Sequence, residues 1–103
     1  MSKAHTFITE EMEKQIPKGG ATANTPMNEM VLYVKLFTPD ANWTWYISEL
    51  DRENNIAFGY VQGLASEWGS FSLDELKEVK GALGLPIERD MHFKPTKFKD
   101  LRI

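Results

Sequence analysis

Three side chains able to do chemistry recur at every second position in IERDMH, Ile87 to His92: Glu88, Asp90 and His92. In an extended strand alternate residues share a face, so two carboxylates and an imidazole point one way while Ile87, Arg89 and Met91 point the other. Zinc and manganese accept these ligand types, and a carboxylate beside a histidine suits general acid–base work. A metal would need a further ligand from elsewhere, and the only other histidine is His5, near the N-terminus. The plainer expectation is that Arg89 pairs with a carboxylate of the body, Glu49 or Asp51, and pins this strand while its neighbours face water. No metal site is expected, and Glu88, Asp90 and His92 stand as catalytic candidates only under an alternative reading as a small hydrolase.

A second group of residues suits binding rather than catalysis. FTPDANWTWY, Phe37 to Tyr46, places two indoles and a phenol directly behind a Pro-Asp-Ala-Asn turn. Pro39 presets the turn, and Asp40 and Asn42 are able to bond neighbouring amides. On a strand, Trp43, Trp45 and Ile47 share one face, with Thr44, Tyr46 and Ser48 on the other. Rings in this position are most often core, because an aromatic side chain buries a large area. The functional expectation keeps Trp43 near the surface, where its indole, Asp40 and Asn42 form a ledge for a planar ligand or a partner's side chain. Trp45, Tyr46 and Arg89 complete the candidate binding set.

Other chemistries find little support. Cysteine is absent, which removes disulfides, thiol catalysis and cysteine-zinc sites and fits a reducing cytoplasm. Ser48, Ser66, Ser70 and Ser72 sit in no nucleophile elbow, and Ser72 is better explained as a helix cap. Gly19-Gly20 is followed by no lysine at phosphate-loop spacing, and Gly59 and Gly63 fall inside a strand, so no cofactor is expected. The net charge is −3. Acidic residues outnumber basic ones between 28 and 93, which argues against direct nucleic-acid binding, since phosphate neutralisation supplies most of that affinity. The tail from 94 to 103 reverses the balance, with Lys94, Lys97, Lys99 and Arg102 against Asp100. No stretch reaches the ~20 apolar residues of a membrane helix, and the N-terminus carries no signal-like run. The chain is read as soluble and cytoplasmic.

The elements that must position these residues follow from periodicity. A length of 103 residues is one domain, with room for a single core. Thr9 caps a first helix whose stripe is Ile8, Met12 and Ile16, ended by Pro17 and Gly19-Gly20. Residues 18 to 28 form a flexible, breaker-rich loop. MVLYVKLF, from Met30, reads as one central strand, apolar on both faces. WTWYISEL and IAFGYVQGL follow as strands separated by DRENN. In the latter, Ile56, Phe58 and Tyr60 face one way, while Ala57, Gly59, Val61 and Gly63 leave the other side bare, so something is expected to pack closely over the glycines. A fourth strand spans Trp68 to Phe71. Ser72 and Glu75 form a capping box for a helix carrying Leu73, Leu76, Val79 and Leu83, which Gly81 and Gly84 end. Pro86 then forces an extended piece. The sum is an α+β fold, an antiparallel meander of four to five strands with two or three helices packed on it.

FTPDANWTWY, FGYVQG, GSFSLDELKEV and GLPIERDMHFKP, in that order from Glu29 to Pro95, resemble the hallmark blocks of a small bacterial family, domain of unknown function 2958. Two stretches depart from it: Gly69-Ser70-Phe71 stands where Gly-Tyr-Phe is usual, and Lys80-Gly81-Ala82 where Arg-Gly-Pro is usual. The resemblance implies residence on plasmids and other mobile elements and carries no activity with it. The expectation is therefore a non-catalytic binding or regulatory module, acting on another protein through the aromatic turn and the acidic face of the sheet, with counter-defence as a role the resemblance suggests. The residues do not fix an oligomeric state.

Overall fold

The computed structural model describes residues 7–101. His5 and Arg102 lie outside the described residues, as does the start of the N-terminal segment. The first helix, α1, spans Glu10–Gln15. Thr9 caps it through Oγ1, which accepts from the Met12 N–H at 3.1 Å, and Glu10, Glu11 and Glu13 occupy its positive end. Buried Ile8 and Ile16 bracket the helix, with Met12 between them against the core. Its C-terminal carbonyls are not left bare: Arg52 Nη2 donates to the carbonyls of Glu13 and Ile16, and its Nε meets the Glu13 carboxylate at 3.2 Å.

The segment after Pro17 has no regular strand or α-helix, but it is laid down on the sheet by specific bonds. The Leu50 N–H donates to Pro17 O, and the carboxylate of Glu49 accepts from the Gly20 and Thr22 N–H groups at 2.7 and 3.0 Å and from the Thr22 hydroxyl. A short 3-10 turn, Met27–Glu29, leads into the sheet.

The run from Met30 does not form one strand. It divides at Tyr33 into β1, Val31–Leu32, and β2, Val34–Phe37. β3 spans Thr44–Asp51, β4 Ile56–Gln62 and β5 Ser66–Ser72; a single helical turn, α2, covers Leu73–Leu76, and β6 and β7 are the two-residue strands Glu88–Arg89 and Thr96–Lys97. The main sheet is antiparallel with order β5-β4-β3-β2-β6, while β1 pairs with β7 in a separate ribbon. The division at Tyr33 faces a register shift in β3 between Ile47 and Glu49. A bulge of this kind bends a strand and increases its twist, and β1 leaves the sheet beside it.

Both sheet faces are covered, as the doubly apolar β2 requires. Val34, Leu36, Trp45, Ile47, Leu50 and Ala57 form the main core with Ile8, Ile16, Leu73, Leu76 and Ile87. On the other face Tyr46 meets Phe93 (ring centroids 5.7 Å apart), while Tyr60 and Trp68 both pack on Phe98 at 4.8 and 5.1 Å.

The second helix is shorter than its sequence pattern predicts. Ser72 caps it, with Oγ accepting from the Glu75 N–H at 3.1 Å, and Val79 still packs on the core, but Leu83 is 80% exposed. After Leu76 the chain tightens into turns, the Glu78 and Val79 N–H groups donating to Glu75 and Leu76 O, and from Gly81 to Leu85 it closes a turn of its own, Gly84 adopting φ +82° and the Gly81 N–H donating to Leu85 O. The carboxylate that organises this turn is Asp40, from the turn between β2 and β3.

Candidate functional site

The turn between β2 and β3 is held from within: the Thr38 N–H donates to Trp43 O at 3.1 Å, and the Trp43 N–H donates to Thr38 Oγ1 at 3.2 Å. That closure fixes where Trp43 emerges. Its indole stacks on that of Trp45, with centroids 5.8 Å apart and an interplanar angle of 23°. The two rings have different fates, Trp45 being 7% exposed and Trp43 38%. Trp43 also lies over Gly63, where a Cβ would come within 2.2 Å of the ring, and at Gly59 a Cβ would meet the Tyr46 carbonyl at 1.7 Å. The bare side of β4 is thus filled by an indole at one glycine and by the β3 backbone at the other.

Asp40 does not form part of an open ledge. Its Oδ2 accepts from the Leu83 and Leu85 N–H groups at 2.6 and 3.4 Å, and its carboxylate occupies the space where a side chain at Gly81 would begin. Tyr46 and Trp45 are likewise buried, so of the aromatic binding set only Trp43 reaches the surface, with exposed Asn42 beside it. Burial, then the nearby Asp90 and Tyr60, pushes the Tyr46 phenol above its ordinary pKa.

The predicted extended face of Glu88, Asp90 and His92 is broken by a turn. β6 ends at Arg89; the Asp90 N–H donates to Lys35 O, the Asp90 Oδ1 accepts from the His92 N–H at 2.9 Å, and the Phe93 N–H donates to Asp90 O. Strand alternation therefore no longer relates His92 to Glu88. Among the described residues no group of three or more His, Cys, Asp or Glu side chains is placed to hold a metal ion. Arg89 does not reach Glu49 or Asp51 either. It donates from Nη1 to Phe7 O and from Nη2 to Met91 Sδ, both at 3.1 Å. It still ties the last strand down, through the N-terminal backbone instead of a carboxylate. Glu49 is 6% exposed and accepts instead from the backbone of the Gly20–Thr22 segment.

What the turn at Asp90 does accomplish is to bring the two sequence constellations together. Asn42 and Trp43 from one, and Arg89, Asp90 and His92 from the other, line a single groove of about 570 Å³. Lys35 crosses it, 3.8 Å from Asp90 Oδ2. Met91 stands 74% exposed among the lining residues. Sequence reasoning missed Lys35 and Met91 as members, and it named the tail's charges without their partner: Lys97 and Lys99 meet the two oxygens of Glu29 at 2.9 and 3.0 Å. Those lysines hold the Glu29 carboxyl below its ordinary pKa.

These features define a small α+β domain whose most distinctive surface is a mixed apolar and charged groove at one end of a five-stranded antiparallel sheet. Among the described residues no helix is long and apolar enough to cross a membrane. The family model described as Protein of unknown function (DUF2958) matches residues 7–99, and the chain belongs to that family. The comparisons with curated proteins and with solved structures returned no match.

Proposed function

We propose that the chain is a non-catalytic recognition module that binds another protein through the groove between the Thr38–Trp43 turn and the Arg89–His92 segment. The observation that carries this reading is the state of Trp43: a large ring, over one third exposed, immobilised from below by Trp45 and Gly63. A ring held rigid before binding loses little freedom on association, and tryptophan is among the residues that most often dominate an interface. Lys35, Arg89 and Asp90 supply charges of both signs around it, and Met91 an adaptable apolar contact. An enzymatic reading gains no geometric support, because Glu88 is outside the groove lining and Asp90 accepts from the backbone N–H of His92 in a turn, not from its imidazole. Direct nucleic-acid binding is disfavoured by the pairing of Lys97 and Lys99 with Glu29. A cytoplasmic role in the maintenance or counter-defence of a mobile element accords with the company that the sequence resemblance implies.

A photo-crosslinking residue placed at Met91, with one at exposed Asn54 on the opposite end of the sheet as control, tests this reading in host cells. The expected result is a discrete protein adduct from position 91 that is missing from position 54. Equal labelling from both positions contradicts it.

A further inference from the structure

A second cavity, of about 410 Å³, opens where the 18–30 segment crosses the sheet, and it shares no lining residue with the Trp43 groove. Its walls include Met27, Met30, Phe58 and Trp68, and Glu49 lines it together with Thr22. Phe58 and Trp68 stack at 6.0 Å with an interplanar angle of 21°, and Tyr60 and Phe98 brace the indole from other directions. Glu49 supplies the only charge in this lining. Its three bonds come from neutral donors, two amides and a hydroxyl, with no lysine or arginine among its partners in the described residues. These donors hold the carboxyl below its ordinary pKa against the opposing effect of burial, so it carries a full negative charge at neutral pH.

We propose that this cavity is a binding site for a small organic amine in its ammonium form, with an apolar body held between Phe58, Trp68 and the two methionines and its cationic head directed to Glu49. An ionised carboxylate with no counter-cation, set in an apolar lining, attracts a positive group more strongly than the same carboxylate in water. Aromatic faces add to that attraction for a cation and not for an anion or a neutral molecule. Methionine side chains adapt to an apolar body of varied shape. The cavity volume lies in the range of ligand sites for small molecules, about 300–1,000 Å³. The Gly20–Thr22 segment, bonded to the same carboxylate, would close one side of the bound ligand.

The test uses the intact protein and three probes with the same ring: phenethylamine, phenethyl alcohol and hydrocinnamate, titrated while following the indole N–H signal of Trp68 by NMR. The amine is expected to bind about tenfold or more tighter than the alcohol, the range a favourable cation contact supplies, and the carboxylate not measurably. E49Q is expected to erase the difference between amine and alcohol. The wild-type series needs no variant, so loosening of the 18–25 segment in E49Q does not blur the result. Equal affinity for amine and alcohol in the wild type, no response to the amine, or a preference that survives in E49Q overturns the proposal. Because the Trp43 groove is read by crosslinking at a different place, failure of either reading leaves the other to its own test.

Discussion

The indole of Trp43 rests on Gly63, so closely that a Cβ there would fall 2.2 Å from Cζ3. The glycine is required by a neighbour's bulk and not by its own backbone angle. G63A should therefore push the ring off Trp45 and destabilise the fold by about 1–3 kcal/mol, the usual range for overpacking. G69A is the matched control, since nothing lies within 4 Å of a Cβ at Gly69. Denaturant melts of both variants check this, with a red shift of tryptophan emission expected for G63A alone.

Asp40 and Gly81 should behave as a coupled pair. D40A removes the acceptor of the Leu83 and Leu85 N–H groups and is expected to cost about 1–2 kcal/mol. G81A drives a methyl group into the space the carboxylate fills. In the double variant that collision is gone, so the combined loss should be smaller than the sum of the two by about 0.5 kcal/mol or more. Strict additivity in a double-mutant cycle would contradict this coupling.

Much of this architecture could be read from residue order, and the failures have a common cause. Alternation placed β3 and β4, and Thr9 and Ser72 announced their helices, because those signals are local. The crowding over Gly59 and Gly63 was legible as bareness, though not what would fill it. Asp40 bonding Leu83, and Glu49 bonding Gly20 and Thr22, join residues far apart in sequence, and no spacing rule foretells such pairs. The turn after Arg89 left one usable sign: an aspartate two residues before an N–H it can accept from is a turn former, and Asp90 does this with His92. The two-residue alternation of charge outweighed that sign and produced a catalytic face that the fold does not make.

Glu49 gives the fold a specific acid sensitivity. Its folded-state pKa is lowered from the ordinary 4.5, burial opposing and the Thr22 and Gly20 bonds prevailing. A depressed carboxylate pKa means stabilisation that is complete above the unfolded value and is lost as pH falls through the folded one. Stability should thus be flat in this respect near neutrality and decline below about pH 4.5. E49Q should be less stable at neutral pH and show a shallower acid decline. Melting temperatures measured across that range for both proteins check it; parallel curves would remove Glu49 from the account.

The ribbon of β1 and β7 is tied by Glu29 to Lys97 and Lys99, all exposed. Salt screens such pairs, so E29Q should alter protection of the Phe98 amide, which bonds Met30 O, more at low ionic strength than at high. Hydrogen exchange at two salt concentrations reads this directly.

The central claim is that a surface tryptophan, pre-set by the fold, does the recognising. The most direct measurement is the affinity of W43A for whichever protein crosslinks to position 91, taken alongside its melting temperature. The account predicts a loss of about 2 kcal/mol or more in binding, as for a dominant interface residue, in a protein that remains folded with its groove backbone intact. Unchanged affinity in a folded W43A would contradict it.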